Sequence, residues 1–276
     1  MDLGLRDRVA IVGGSSRGMG RAIALAFAHE GANVTICARK EADLRRAEID
    51  LARASSQQHV LAIPADLTVE PDIRRVVRDT VSRFGQINIL VTHMATRIED
   101  EETARASEVD DETIASAMDE SFLGAVRFAR ETVPYMKQQR WGRILNLLPE
   151  FSIHSIPVGT VKRSDESALN TSNRMAITGY AKSLANELAA FNITVNNLIH
   201  GPVESDALRA VLEERAHIEG RRLDQVEQEA AELVPMRRLG KPEEVADLAV
   251  YICSERASYL TGSNIVLDGG MRQDIR

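Results

Sequence analysis

The chain has 276 residues, and its 34 Lys and Arg against 41 Asp and Glu leave a formal net charge of −7 at pH 7. That balance argues against nucleic acid or an anionic membrane surface as the main partner, because either is met by basic patches. Hydrophobic residues at 44% and charged residues at 27% exclude a disordered chain, and no apolar run is long enough to cross a bilayer.

The opening stretch Met1-Asp2-Leu3-Gly4-Leu5-Arg6 lacks the apolar core of a signal peptide, so a cytoplasmic protein is expected. Strands are expected at residues 9–12, 33–38, 60–65, 89–92, 143–148, 194–199 and 264–267. These short apolar runs alternate with longer stretches of helical period, the pattern of βαβ units and a parallel sheet. Gly31 stops the first helix, Thr68 caps the third ahead of Pro71, and Pro242 opens the last. Cys37 and Cys253 lie in apolar segments and are read as buried thiols rather than a disulfide.

Two stretches break the alternation. Residues 99–120 are strongly acidic and read as a solvated loop leading into a helix. Residues 204–235 read as two helices split near Gly220, inserted at the carboxyl edge of the sheet. There they form either a lid over the ligand crevice or a packing arm at a subunit contact. With no linker and no internal repeat, residues 1–276 are expected to form one α/β domain. Its architecture is doubly wound and Rossmann-like, a parallel sheet of about seven strands with helices on both faces.

The first strand runs into Gly13-Gly14-Ser15-Ser16-Arg17-Gly18-Met19-Gly20, followed by a helix with Ile23 and Phe27 on one face. Glycines at such a junction allow a tight turn and close approach of backbone N–H groups to a pyrophosphate, which a helix N-terminus favours electrostatically. The second strand ends Cys37-Ala38-Arg39-Lys40, without the acidic residue that takes the ribose 2′-hydroxyl of NAD. Arg17 and Arg39 suit a 2′-phosphate instead, by charge-assisted hydrogen bonds. NADP is therefore expected ahead of NAD.

These residues resemble the short-chain dehydrogenase/reductase family over nearly the whole chain. Residues 13–20 are similar to its glycine loop, with Gly13 in place of Thr, and Asp66 in Ala65-Asp66-Leu67-Thr68 to its adenine-holding Asp. The run from Arg238 through Pro242 and Ser254, then Tyr259-Leu260-Thr261-Gly262 and Asp268-Gly269-Gly270, is similar to its closing signature. The resemblance implies a nucleotide held by Gly14, Ser16, Arg17, Gly18, Met19 and Gly20 of the loop and by Arg39, Asp66 and Leu67 beside it. Arg174, Gly201 and Val203 complete the implied set. It also implies a homodimer or homotetramer built on helices resembling residues 104–139 and 172–191.

The family's catalytic positions carry other residues here. Thr92-His93-Met94-Ala95 stands where the family has Asn-Asn-Ala-Gly, Ser121 where it has a helical Asn, and Pro149 where it has the catalytic Ser. Aligned back from Lys182, the Tyr-x-x-x-Lys pair becomes Asn170 and Arg174, after an apparent insertion through residues 160–167, and Pro-Gly becomes His200-Gly201. Asn170 has no titratable proton, and Arg174 keeps its charge but cannot release a proton near neutrality. Tyr180 lies on a different helix face from Arg174 and is read as a packing or surface residue.

His93, Glu150 and His200 follow the fourth, fifth and sixth strands and are expected at the carboxyl edge, where ligands of open α/β sheets bind. Asn170, Arg174, Ser121, His93, Glu150 and His200 are therefore the candidate catalytic set, with His154 and Asp165-Glu166 within the insertion. No metal-site spacing is present. The main reading is an NADP-dependent oxidoreductase acting on a small-molecule carbonyl or alcohol. The alternatives are a non-redox acid/base enzyme in the same crevice, such as a lyase, dehydratase or isomerase, or an inactive nucleotide-binding protein.

Overall fold

The computed structural model describes residues 1–55, 59–93, 109–149 and 167–272. Glu150, His154, Asp165 and Glu166 lie outside the described residues, as do residues 99–108 of the acidic stretch. Seven strands appear, β1 (Val9–Gly13), β2 (Asn33–Ala38), β3 (Val60–Pro64), β4 (Ile89–Thr92), β5 (Gly142–Pro149), β6 (Ile193–His200) and β7 (Asn264–Leu267). They pair in the order β3-β2-β1-β4-β5-β6-β7, every pair parallel. The chain reverses its direction of build at β1, which has β2 on one side and β4 on the other. A crevice opens at the carboxyl ends of the strands at such a switch point.

Alternation along the strands loads both faces of the sheet. Ala10, Val12, Val34, Ile36 and Leu198 join one core with Ile23 and Phe27 of α1 (Gly18–His29), Leu44 of α2 (Glu41–Ala54) and Ala249 of the helix Pro242–Ile252. Ile11, Cys37, Leu90, Ile144 and Val195 join the other, with Ile73 of α3 (Glu70–Phe84), Phe128 of the helix Gly124–Gln139 and Ala185 of the helix Ser167–Leu188. In chain order the remaining helices are α4 (Asp111–Met118), α5 (Gly124–Gln139), α6 (Ser167–Leu188), α7 (Asp206–Glu219), α8 (Leu223–Glu232) and α9 (Pro242–Ile252). Cys37 and Cys253 are free, buried thiols, and burial pushes both up to about 12.

Several sequence-based boundaries move. β5 and β6 each extend by one residue at both ends, because Gly142 pairs with Ile193 and Pro149 with His200. The ladder continues where the apolar pattern stops. Thr68 does not cap α3. Its N–H and hydroxyl both donate to Asp66 Oδ1, at 3.0 and 2.8 Å, and the helix starts at Glu70 with Val69 as an N-cap that makes no side-chain cap bond. The competing Asx turn takes the threonine. Tyr180 packs edge-on against Phe122, ring centroids 6.1 Å apart.

Just below the carboxyl edge, a polar row crosses four strands. The Thr92 hydroxyl donates to Asn146 Oδ1, Asn146 Nδ2 to Asn197 Oδ1 and Asn197 Nδ2 to Asn264 Oδ1, each at 2.8 Å. Each bond joins directly paired residues. These three bonds tie β4, β5, β6 and β7 into one register.

Candidate active site

The glycine loop is held rigidly to β2. Gly14 and Ser15 N–H groups donate to the Cys37 carbonyl at 3.0 and 3.3 Å. The buried Ser15 hydroxyl donates to Val12 O at 2.7 Å and accepts from Cys37 N–H at 3.1 Å. Gly14 and Gly18 sit at φ +64 and +56, left-handed backbone that glycine adopts without strain. A Cβ on Gly20 would stand 2.4 Å from Gly14 O, and one on Gly14 3.0 Å from His93 O. The bare backbone is therefore required for the loop to close against α1 and β4. Helix α1 begins with Arg17 as an N-cap that makes no side-chain bond. Its first N–H groups, with the buried Met19 behind them and Ser16 before them, are open to an anion.

The other nucleotide candidates lie around this loop and along the strand ends. Arg17 and Arg39 are exposed, and neither makes an ion pair among the described residues. Leu67 is buried, and its Cδ1 would lie 2.9 Å from a Cβ on Gly13. Asp66 is oriented by Thr68 and by donating its own N–H to Asp72 Oδ2 at 2.8 Å. Gly201 passes so close to the β7 loop that a Cβ there would stand 2.8 Å from Asp268 Cα. Val203 pairs with Gly240 in an isolated parallel bridge. Ser205, not singled out from the sequence, caps α7 by accepting from Leu208 N–H at 3.2 Å, with its Cβ 3.9 Å from a Cβ built on Gly18. The legible signal for it was a Ser-Asp pair ahead of an apolar helical run.

The candidate catalytic residues divide. His93, His200 and Arg174 come together at the carboxyl edge. Nδ1 of His93 would lie 3.6 Å from a Cβ on Gly14. Desolvation pulls the His93 imidazole down to about 4. His200 is 4% exposed; burial pulls it to about 4 as well, against the raising effect of its hydrogen bond to Gly201 and helped by the positive charge of Arg174. Both imidazoles are therefore neutral near pH 7. Ser121 instead lies in a π-turn, Asp119–Leu123, between α4 and α5. Its buried hydroxyl donates to the Ala117 carbonyl at 3.0 Å, and Nδ2 of buried Asn173 donates to the same oxygen at 2.9 Å. Asn173, next to Arg174, is a second residue that sequence reasoning missed, and it pins α6 to the widened turn. Asn170 lies in α6.

The inserted helices α7 and α8 carry a small core of their own, Leu212, Ala216, Val226 and Ala230. Arg215 bridges them, bonding Glu219 and Glu229 at 2.8 Å each. A cavity of about 1010 Å³ separates this pair from α1 and α2, lined among others by Arg17, Gly18, Asp43, Asp50, Ser205 and Glu227. No group of three His, Cys, Asp or Glu side chains stands in metal-binding reach among the described residues. Nor is any helix among them long and apolar enough to cross a membrane.

Fold and site together define a doubly wound nucleotide-binding protein, its glycine cradle at the switch point and its polar side chains along the strand ends. The family model described as enoyl-(acyl carrier protein) reductase matches residues 14–272, and the chain belongs to the short-chain dehydrogenase/reductase family. Among curated relatives, the 3-oxoacyl-[acyl-carrier-protein] reductase FabG of Aquifex aeolicus is 32% identical over 98% of this chain and 100% of its own. The uncharacterized oxidoreductase YxjF of Bacillus subtilis is 32% identical over 96% of this chain and 98% of its own. Among solved structures, L-sorbose reductase from Gluconobacter frateurii, complexed with NADPH and L-sorbose, superposes with TM-score 0.88 at 29% identity, both chains covered in full. An actinorhodin polyketide ketoreductase with NADPH gives TM-score 0.83 at 26% identity, covering 96% of this chain and 97% of its own.

Proposed function

We propose that the protein is an NADP(H)-dependent oxidoreductase acting on the carbonyl or alcohol of a small molecule, through a site that departs from its family in how it handles the proton. The observation that carries this reading is the glycine cradle with two exposed guanidinium groups, Arg17 and Arg39, beside it and outside any ion pair of the described residues. The cradle fits a pyrophosphate, and the arginines fit a 2′-phosphate. When bound, the nucleotide supplies the hydride chemistry. Asp66 and Leu67 meet the adenine side, and Gly201 and Val203 line the other half.

At the reacting end Asn170 and Arg174 stand where the resemblance places a tyrosine and a lysine. Arg174 stays charged and holds hydroxyls or an anion, but does not give up a proton. Asn170 offers an amide to orient a carbonyl oxygen. His93 and His200, neutral at pH 7, accept hydrogen bonds or protons rather than supply them. Glu150 and Ser121 complete the candidate set, with Ser121 acting as a brace of the turn.

The test is a fluorescence titration with NADPH and with NADH, on the wild type and on Arg39→Ala. Wild type is expected to prefer NADPH, and the variant to lose about 10- to 100-fold of that preference, the worth of a charge-assisted hydrogen-bond pair. Change in absorbance at 340 nm on a panel of carbonyl substrates then reads turnover. Binding of neither nucleotide would sink the reading and leave non-redox acid/base chemistry at His93, Glu150 and His200.

The same proposal makes α7–α8 a lid and the protein a homodimer or homotetramer, with Ile114 of α4 and Met175 of α6 as exposed apolar contacts. Light scattering at micromolar concentration is expected to give two or four copies, and a monomer refutes the assembly. Proteolysis at the Gly220 turn is expected to slow when NADPH is added; a rate indifferent to NADPH makes the pair a packing arm instead.

A further inference from the structure

His200 holds a buried hydrogen-bonding atom that has no partner among the described residues. Its Nδ1 lies 2.8 Å from the Gly201 carbonyl oxygen, which can only accept, so the proton of the neutral ring sits on Nδ1. Nε2 is then a lone pair, buried and without a hydrogen-bond partner among the described residues. Protonation offers no relief, because burial disfavours the charged ring and the positive charge of Arg174 adds to that. An acceptor left this way has lost its water without replacement, and an apolar side chain would avoid that cost. A ligand bound at the strand ends would supply the missing donor.

The place of the ring says which part of the ligand. His200 ends β6, paired with Pro149 and Leu267, and alternates with Leu198, which packs toward α1. It therefore stands on the glycine-loop face of the sheet. A dinucleotide whose phosphates sit at Gly14 to Gly18 and whose 2′ end sits beside Arg39 at β2 extends its other half across β4, β5 and β6. We infer that His200 is a cofactor-orienting acceptor, its Nε2 taking a hydrogen bond from an N–H or O–H donor on the nicotinamide half of NADP(H). The inference rests on the nucleotide reading above.

The experiment compares His200→Leu and His200→Gln with the wild type in binding NADPH and adenosine 2′,5′-bisphosphate, which lacks the nicotinamide half. His200→Leu is expected to bind the bisphosphate as the wild type does, to bind NADPH about 10-fold more weakly, the worth of one hydrogen bond, and to melt no lower without ligand. His200→Gln keeps an acceptor and is expected to recover most of the affinity. The 3-acetylpyridine analogue, with no amide N–H, separates the two donors: indifference to His200→Leu assigns the carboxamide, and a loss equal to that of NADPH assigns a ribose hydroxyl. Equal NADPH affinity in His200→Leu and wild type overturns the inference, as does an equal loss for both nucleotides, which marks a structural role. Failure of the wild type to bind the bisphosphate overturns the nucleotide reading itself. Independently of any variant, ¹⁵N NMR of the wild type is expected to find the Nδ1–H tautomer, with Nε2 shifting on addition of NADPH and not of the bisphosphate. A protonated Nε2 overturns the assignment.

Discussion

Gly20→Ala is expected to abolish measurable NADPH binding and to lower stability by about 1–3 kcal/mol, the usual cost of forcing atoms into a filled space. By helix propensity alone the change should help, since alanine is better than glycine inside a helix by about 0.5–1 kcal/mol. Packing reverses the sign. The new Cβ would stand 2.4 Å from Gly14 O, 2.9 Å from Gly14 C and 3.1 Å from Ser15 Cα, all backbone atoms of a loop already tied to Cys37 and Val12. Relief requires the loop to open, and opening it misplaces the N–H groups at the start of α1. Gly179→Ala is the control for nucleotide binding, because nothing in the same protomer lies within 4 Å of a Cβ there; it is expected to leave NADPH affinity unchanged. Urea unfolding and NADPH fluorescence read both effects. Wild-type affinity in Gly20→Ala would show that the cradle does not hold the nucleotide.

Arg143→Leu is expected to destabilise the fold by about 1–3 kcal/mol, the cost of buried acceptors left without a donor. Arg143 is 1% exposed at the amino end of β5, and its partners are carbonyls rather than a carboxylate. Nε donates to Ser254 O at 3.2 Å, and Nη1 donates to Gly142 O at 2.8 Å and to Asn192 O at 3.2 Å. Its guanidinium lies 4.3 Å from the centre of the Trp141 ring, over which Arg8 is also placed at 4.0 Å. One planar cation thus joins β5, the turn before β6 and the segment after α9. Leucine fills part of the volume but leaves the carbonyls without donors. Arg143→Lys is expected to fall between, because a point charge reaches fewer of them. NADPH affinity of the folded fraction should not change, since the site is at the opposite edge of the sheet. An unfolding midpoint equal to the wild type would refute the bracing role.

Arg143 also illustrates how far the sequence could be read. Its position at the start of a strand was legible; its partner Ser254, 111 residues away, was not. The row Thr92-Asn146-Asn197-Asn264 is likewise invisible one strand at a time, because its bonds join residues more than 50 positions apart. Thr68 was misread as a cap because two local hydrogen-bond patterns compete for one hydroxyl, and the choice depends on where Asp66 is held by Asp72.

What the sequence determined by itself is everything set by short-range patterning: the seven alternating strands, the glycine turn into α1, the Gly220 break between α7 and α8, and the basic rather than acidic end of β2. These follow from steric freedom, period and charge within a few residues. What only the tertiary structure decided is the state of the side chains at the site. The sequence put His93 and His200 at one edge, but their neutrality, the proton on Nδ1 of His200 and the inward turn of Ser121 come from burial and from partners on other elements. Desolvation and hydrogen bonding are set by the atoms that surround a group, and in this fold those atoms arrive from distant parts of the chain.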